Sequence, residues 1–267
     1  MFWRVGLAGA FAAALALAAA GGMSITEAAA SLGDAKSTES LILEARSTLV
    51  HEGLKFLKSE AFPPLLKETS PACIHTLLIC NQCLENARNK PEEFKEVKEA
   101  IAEHNATLAG LSKSAKFPIS YLSTKLLGEV GDEAALKTLS GTLIQLTQKA
   151  AEPRLAARII QSIVQLSGTL GIEKAKDCIP GFVACAKAED ASLAAAACEA
   201  LGTLGDEKAK EPLLLAVSRP EDVVFANAQE AVIKLYKRYK RKTDTLIPGY
   251  TEEDRKAFVD EARRVWP

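Results

Sequence analysis

The stretch CEALGTLGDEKAKEPLL, residues 198–214, carries an alanine-rich apolar face into a Leu-Gly-Asp corner and straight out again. Gly205 is a residue that ends a helix without a Cβ penalty, which places it in the left-handed conformation of a helix C-terminus. Asp206 then accepts the orphan backbone donors of a second helix, with Glu207 at that helix's positive end. The stretch predicts helix, minimal turn, helix. Two short amphipathic helices do not stand alone in water. They bury their apolar faces on each other and on neighbours, so such a unit calls for repetition.

The repetition is present. LLGEVGDEAALKTL (126–139), LSGTLGIEKAKDCI (166–179) and ALGTLGDEKAKEPL (200–213) superpose without gaps, offset by 40 and then 34 residues. Gly131, Gly171 and Gly205 align as corners, with Asp132 and Asp206 following the first and third. Ala135, Ala175 and Ala209 align next, then Leu139, Ile179 and Leu213. Apolar helices are expected upstream of the corners, over 119–130, 155–170 and 191–204. The small residue four positions past each corner lets the second helix approach the first, and the apolar residue four further on shares its face.

DASLAAAACEALGTLGDEKAKEPLLLAVSRPEDVVFANAQEAV (190–232) resembles HEAT repeats, in particular the short HEAT-like repeats of the phycocyanobilin lyases. Shared are the alanine-rich first helix, the Leu-Gly-x-Leu-Gly-Asp corner and the following Ala and Pro-Leu-Leu. The resemblance covers about 118–241. It implies an all-α fold, an α-solenoid of antiparallel helix pairs forming an armadillo-type superhelix, whose usual work is binding other macromolecules. Ile172 departs from the pattern in place of the capping Asp. The Arg that often opens the first helix is also missing, with Leu193 and Phe225 near its place.

Four regions follow. Residues 1–30 read as a signal peptide or N-terminal anchor, 35–112 as a helical N-terminal cap region, 113–242 as HEAT-like repeats and 243–267 as a C-terminal capping helix. The first region opens with Met1-Phe2-Trp3-Arg4 and continues into sixteen small or apolar residues, VGLAGAFAAALALAAA. Small-residue sites follow at Ala20 before Gly21 and at Ala30 before Ser31. This is a secretory pattern, and it predicts export after cleavage; the alternative is a membrane anchor over residues 5–20. In the cap region, helices are expected over 37–57, burying Ile42, Ala45, Leu49 and Phe56, and over 91–111, burying Phe94, Val97, Ile101, Leu108 and Leu111. Thr251 is expected to cap the last helix.

The 267 residues are 48% hydrophobic and 25% charged with a formal net charge of −1, so composition gives no global attraction to nucleic acid. No His-Glu-x-x-His, Gly-x-Ser-x-Gly or phosphate-loop pattern occurs, and the carboxylates are spread over polar helix faces. The sequence supports neither an enzyme nor a cofactor. CIHTLLICNQC (73–83) brings Cys80 and Cys83 forward as weak metal candidates. Helical geometry places Cys73, Leu77, Cys80 and Leu84 on one stripe with His75 away from it, which favours buried small hydrophobes. Cys178, Cys185 and Cys198 sit among apolar residues of the repeats, His104 on an apolar face and His51 opposite one.

KLYKRYKRK (234–242) holds six basic residues in nine: Lys234, Lys237, Arg238, Lys240, Arg241 and Lys242, interleaved with Tyr236 and Tyr239. It reads either as a patch for nucleic acid, anionic lipid or an acidic partner, or as a helix end whose charges complement the dipole and whose stems pack along the last repeat. A single cluster on a near-neutral chain favours the second. The expected function is that of a non-enzymatic, exported scaffold or adaptor binding another protein. Membrane contact is expected only through an uncleaved N-terminal segment. The resemblance implies a lyase- or chaperone-like factor for a thiol-linked prosthetic group as an alternative. A nucleic-acid-binding HEAT array using the basic run is a second.

Overall fold

A computed structural model describes residues 23–149 and 152–267. The fold is all-α: 77% of it is helical, with fourteen α-helices and no strand among the described residues. The chain divides into two compact units, one ending at Val130 and the other spanning Gly131–Pro267. The division falls inside the stretch read as repeats from sequence.

The first unit contains α1 (Ile25–Gly33), α2 (Glu39–Leu57), α3 (Phe62–Leu65), α4 (Cys73–Ala87), α5 (Pro91–Ala102), α6 (Asn105–Leu111) and α7 (Phe117–Val130). Most of the expected signal segment, residues 1–22, lies outside the described residues, but its last part is a folded element. Ser24 and Glu27 form a capping box at the start of α1, and Ala28, Ala29 and Leu32 bury themselves as α1 packs on α2. Helix α2 buries Ala45, Leu49 and Phe56 as expected but leaves Ile42 half-exposed, and it breaks at Gly53, whose φ of 41° and ψ of −107° are not helical. On α4 the stripe Cys73, Leu77, Cys80 and Leu84 is buried.

The expected helix over 91–111 is two. His104 takes φ −106° and ψ 16°, and it stacks edge-on against Phe62 with ring centroids 4.9 Å apart. Asn105 next to it donates from Nδ2 to the Val130 carbonyl at 3.2 Å. Two tertiary contacts thus outweigh continuation of the helix. Val97, Ile101, Leu108 and Leu111 are buried as the pattern demands, whereas Phe94 stays half-exposed beneath the Lys98 ammonium, 5.7 Å from its ring centroid.

The second unit contains α8 (Glu133–Lys149), α9 (Pro153–Leu170), α10 (Ile179–Ala186), α11 (Ala191–Leu204), α12 (Lys210–Val217), α13 (Asp222–Arg238) and α14 (Glu252–Val265). It is a two-layered solenoid: α9, α11 and α13 lie side by side in one layer, and α8, α10 and α12 in the other. Short 3-10 turns, Ile172–Cys178 and Glu207–Ala209, lead from two of the corners into α10 and α12. Ala135, Ala175 and Ala209 are buried, as are Leu139, Ile179 and Leu213. After α13 the chain runs back along residues 239–251. Helix α14 then packs on α12 and runs antiparallel to it, with Arg255 near the end of α12 and Arg263 ion-paired to Glu211 at its start. Thr251 and Asp254 cap α14 reciprocally. This reversal of direction breaks the repeat.

The corners differ from one another. Asp132 accepts from the Ala135 amide at 2.8 Å and Asp206 from the Lys208 amide at 2.9 Å, as expected of caps. Gly171 is the corner with positive φ, at 96°. The left-handed conformation expected at Gly205 is not there: its φ is −59° and its ψ 155°, a backbone open to any residue. Glycine is required by space instead. A Cβ at 205 would lie 2.3 Å from the Leu201 carbonyl oxygen and 2.8 Å from the Ala209 Cβ, because the chain turns back against the helix it has just left. At Gly202 a Cβ would lie 2.6 Å from the Ala231 Cα, so here α11 and α13 pack backbone to backbone.

Candidate functional site

The basic run does not form one free patch. Tyr236 is fully buried and donates its hydroxyl to the Ala262 carbonyl at 3.0 Å, fastening α13 to α14, and burial pushes its phenol up to about 12. Tyr236 and Tyr239 each sit with ring centroid 5.0 Å from that of Trp266. The Arg241 guanidinium and the Lys210 ammonium lie over the same indole at 5.1 and 5.8 Å. Arg238 donates to the carbonyls of Gly205 at 2.6 Å and Gly202 at 2.8 Å, and also to that of Thr203. It thereby satisfies the orphan carbonyls at the negative end of α11. Lys234 pairs with Glu230 at 2.7 Å and Lys242 with Asp244 at 3.5 Å. Lys237 and Lys240 are exposed, and Lys240 has a positive φ of 53°. The sequence displays the charges of this run but hides the carbonyls that Arg238 meets, which lie 33 and 36 positions away.

Arg238 has counterparts that sequence reading did not single out. Arg219 donates to the carbonyls of Ala188 at 2.7 Å, Glu189 at 3.4 Å and Ala186 at 3.5 Å, at the end of α10, while Glu221 holds it from the other side at 2.8 Å. Arg255, stacked 4.5 Å from the Phe225 centroid, donates to the Arg219 carbonyl just past α12 at 3.3 Å. Three successive helix ends are thus met by guanidinium groups from further along the chain: α10 by Arg219 in the turn after α12, α11 by Arg238 on α13 and α12 by Arg255 on α14.

The arrangement offering most to a partner lies along the α8–α10–α12 layer. A cleft of about 500 Å³ opens between the end of α8 and that of α10, walled by Leu146, Pro153, Ala184, Lys187 and Leu193. A second, of about 400 Å³, opens between the ends of α10 and α12, walled by Glu189, Pro212, Leu215 and the Arg219–Glu221 pair. Lys187, Ala188 and Glu189 belong to both, so the clefts are successive bays along one ridge. Leu215 is 59% exposed between buried Leu214 and Ala216. Ile144 on α8 and Ile172 at the middle corner are further exposed apolar side chains.

Residues 141–233 match the family model for HEAT repeats. The chain contains HEAT repeats. No curated protein matches the sequence. The matched segment spans most of α8 through α13, and so includes both bays and the Gly171 and Gly205 corners.

The cysteines of the chain are all buried thiols. Burial pushes Cys83, Cys185 and Cys198 up to about 12, Cys73 up to about 11, and Cys80 well above the ordinary thiol range. A thiol held protonated in this way is a poor nucleophile and a poor metal ligand. Among the described residues no three His, Cys, Asp or Glu side chains converge as a metal site would need, around Cys80 and Cys83 or elsewhere. No described helix is long and apolar enough to cross a membrane. His75 is half-buried beside Arg46, and desolvation first, then the guanidinium, hold its imidazole below the usual histidine range.

Proposed function

We propose that this chain is an exported, non-enzymatic adaptor that binds another protein along the α8–α10–α12 layer of its HEAT array. Leu215 carries the reading: a large aliphatic side chain on a repeat helix, 59% exposed, in the wall of the bay of about 400 Å³, which shares Lys187, Ala188 and Glu189 with the neighbouring bay of about 500 Å³. Apolar side chains beside clefts and ringed by polar groups are the usual anchors of protein interfaces. The test is capture of a partner from the producing cells with the wild type and with Leu215→Asp and Lys187→Glu. The partner is expected to be lost with both variants while the melting temperature stays within about a degree, since these are surface positions. Retention of every captured protein by both variants overturns the reading.

Export is supported by the charged start, the alanine-rich run and the small-residue site before Gly21. A cut there leaves the Ser24–Glu27 capping box and the buried Ala28 and Ala29 in place, whereas a cut before Ser31 removes them. N-terminal sequencing of the protein from its own cells is expected to begin at Gly21. Recovery of soluble chains beginning at Met1 sinks export.

A further inference from the structure

The break in α2 lies beside a cavity of the first unit. This cavity, of about 600 Å³, lies where α2, α4 and α5 meet, with Gly53 in its wall. Part of its wall is apolar, with Val50 and Leu54 from α2, Cys83 from α4 and Val97 from α5, and the remainder is polar, His51, Gln82 and Asn86 among it. Its volume is in the range of small-molecule sites, roughly 300–1,000 Å³.

Ser47 lines the same cavity, is 2% exposed, and its buried hydroxyl has no hydrogen-bond partner in the protein. A buried hydroxyl without a partner costs stability, and an alanine here would remove the cost. The charged residues of the cavity are matched among themselves: Lys55 pairs with Glu52 at 3.1 Å and Lys90 with Glu93 at 2.8 Å. Gln82 donates to the Asn86 side chain at 2.9 Å. The matched pairs leave no excess of either sign to receive an ion. The Cys83 thiol, pushed up to about 12 by burial, stays uncharged as well.

We infer that this cavity is a binding site for a small, neutral amphiphile whose apolar body lies against Val50, Leu54 and Val97 and whose single hydroxyl or amide meets Ser47. The Gly53 break lies in the wall of the site. A Cβ at 53 meets nothing within 4 Å, so the positive φ, not crowding, keeps the position for glycine.

Benzyl alcohol and toluene, alike in body and different in the hydroxyl, are the probes. They are titrated into the full-length protein with backbone amide shifts as the readout. Benzyl alcohol is expected to move amides near Ser47, Gly53, Cys83 and Val97 and to bind more tightly than toluene. Ser47→Ala is expected to weaken benzyl alcohol roughly threefold to tenfold, the worth of one hydrogen bond, and to leave toluene unchanged. The same variant is expected to melt higher than the wild type, a pairing of gained stability and lost affinity that a purely structural serine does not give. Val50→Phe, at a half-exposed position, is expected to fill the cavity and abolish both titrations. Equal binding of the two probes, shifts scattered over the surface, or loss of both probes in Ser47→Ala overturns the inference.

Discussion

At Gly171 the backbone turns through a φ of 96° with nothing within 4 Å of where a Cβ would stand; at Gly205, one repeat later, φ is −59° and a Cβ would strike the Leu201 carbonyl at 2.3 Å. The two glycines align in sequence and end helices of the same layer, yet one is needed for its conformation and the other for its size. Their neighbours differ in step. Asp206 caps the turn after Gly205, and Arg238 crosses from α13 to the carbonyls around it. Ile172 after Gly171 supplies no side-chain cap and stands 43% exposed. An aligned glycine therefore marks a corner without saying which physical limit it answers.

Five substitutions sharpen or break this contrast, with unfolding free energy from denaturant titration as the common readout. Gly205→Ala is expected to cost about 2–3 kcal/mol, because the obstructing atom is backbone and cannot rotate away. A cost below about 0.5 kcal/mol would mean that the corner opens easily and the steric account is wrong. Gly171→Ala is expected to cost about 1–2 kcal/mol from the positive φ alone, and trimming neighbours will not rescue it. Ile172→Asp installs the missing cap and is expected to stabilise by about 0.5–1 kcal/mol, half of a typical cap effect or more. No gain there would show that the 3-10 turn at 172–178 leaves its amides otherwise satisfied. The smallest effect belongs to Gly168, on α9, where a Cβ meets nothing within 4 Å. Gly168→Ala is expected to stabilise by about 0.5 kcal/mol, whereas Gly202→Ala, aligned with it but pressed on Ala231, should destabilise.

The helices upstream of the corners were legible in the sequence to within two residues, because alanine-rich and leucine-rich periodicity is a local signal. So were the caps at Asp132, Asp206 and Thr251, which act over two or three residues. What was not legible depends on residues far apart. The break between α5 and α6 needs Phe62 beneath His104 and Val130 beside Asn105. The steric demand at Gly205 needs the return path of the chain, and the cavity at Gly53 needs three helices at once. The basic run shows the same limit. Its composition was plain, but assigning Tyr236 to the core and Arg238 to the α11 end required knowing where Ala262 and Gly202 lie. The two bays follow from how the ends of α8, α10 and α12 line up, which no single repeat contains.

The guanidinium groups of Arg219, Arg238 and Arg255 each close the end of a helix that belongs to the preceding part of the array. In a linear array, cooperativity is set by the ratio of between-neighbour to within-neighbour free energy. Each arginine adds to the first, since the carbonyls it meets stand at the end of a helix other than its own. Peeling α14 away exposes the Arg219 carbonyl; peeling α13 leaves three carbonyls of the α11 end without a donor. Fraying is thereby made costly at every step, and native-state hydrogen exchange should report α10 to α14 opening as one block with a single protection level instead of a gradient along the chain.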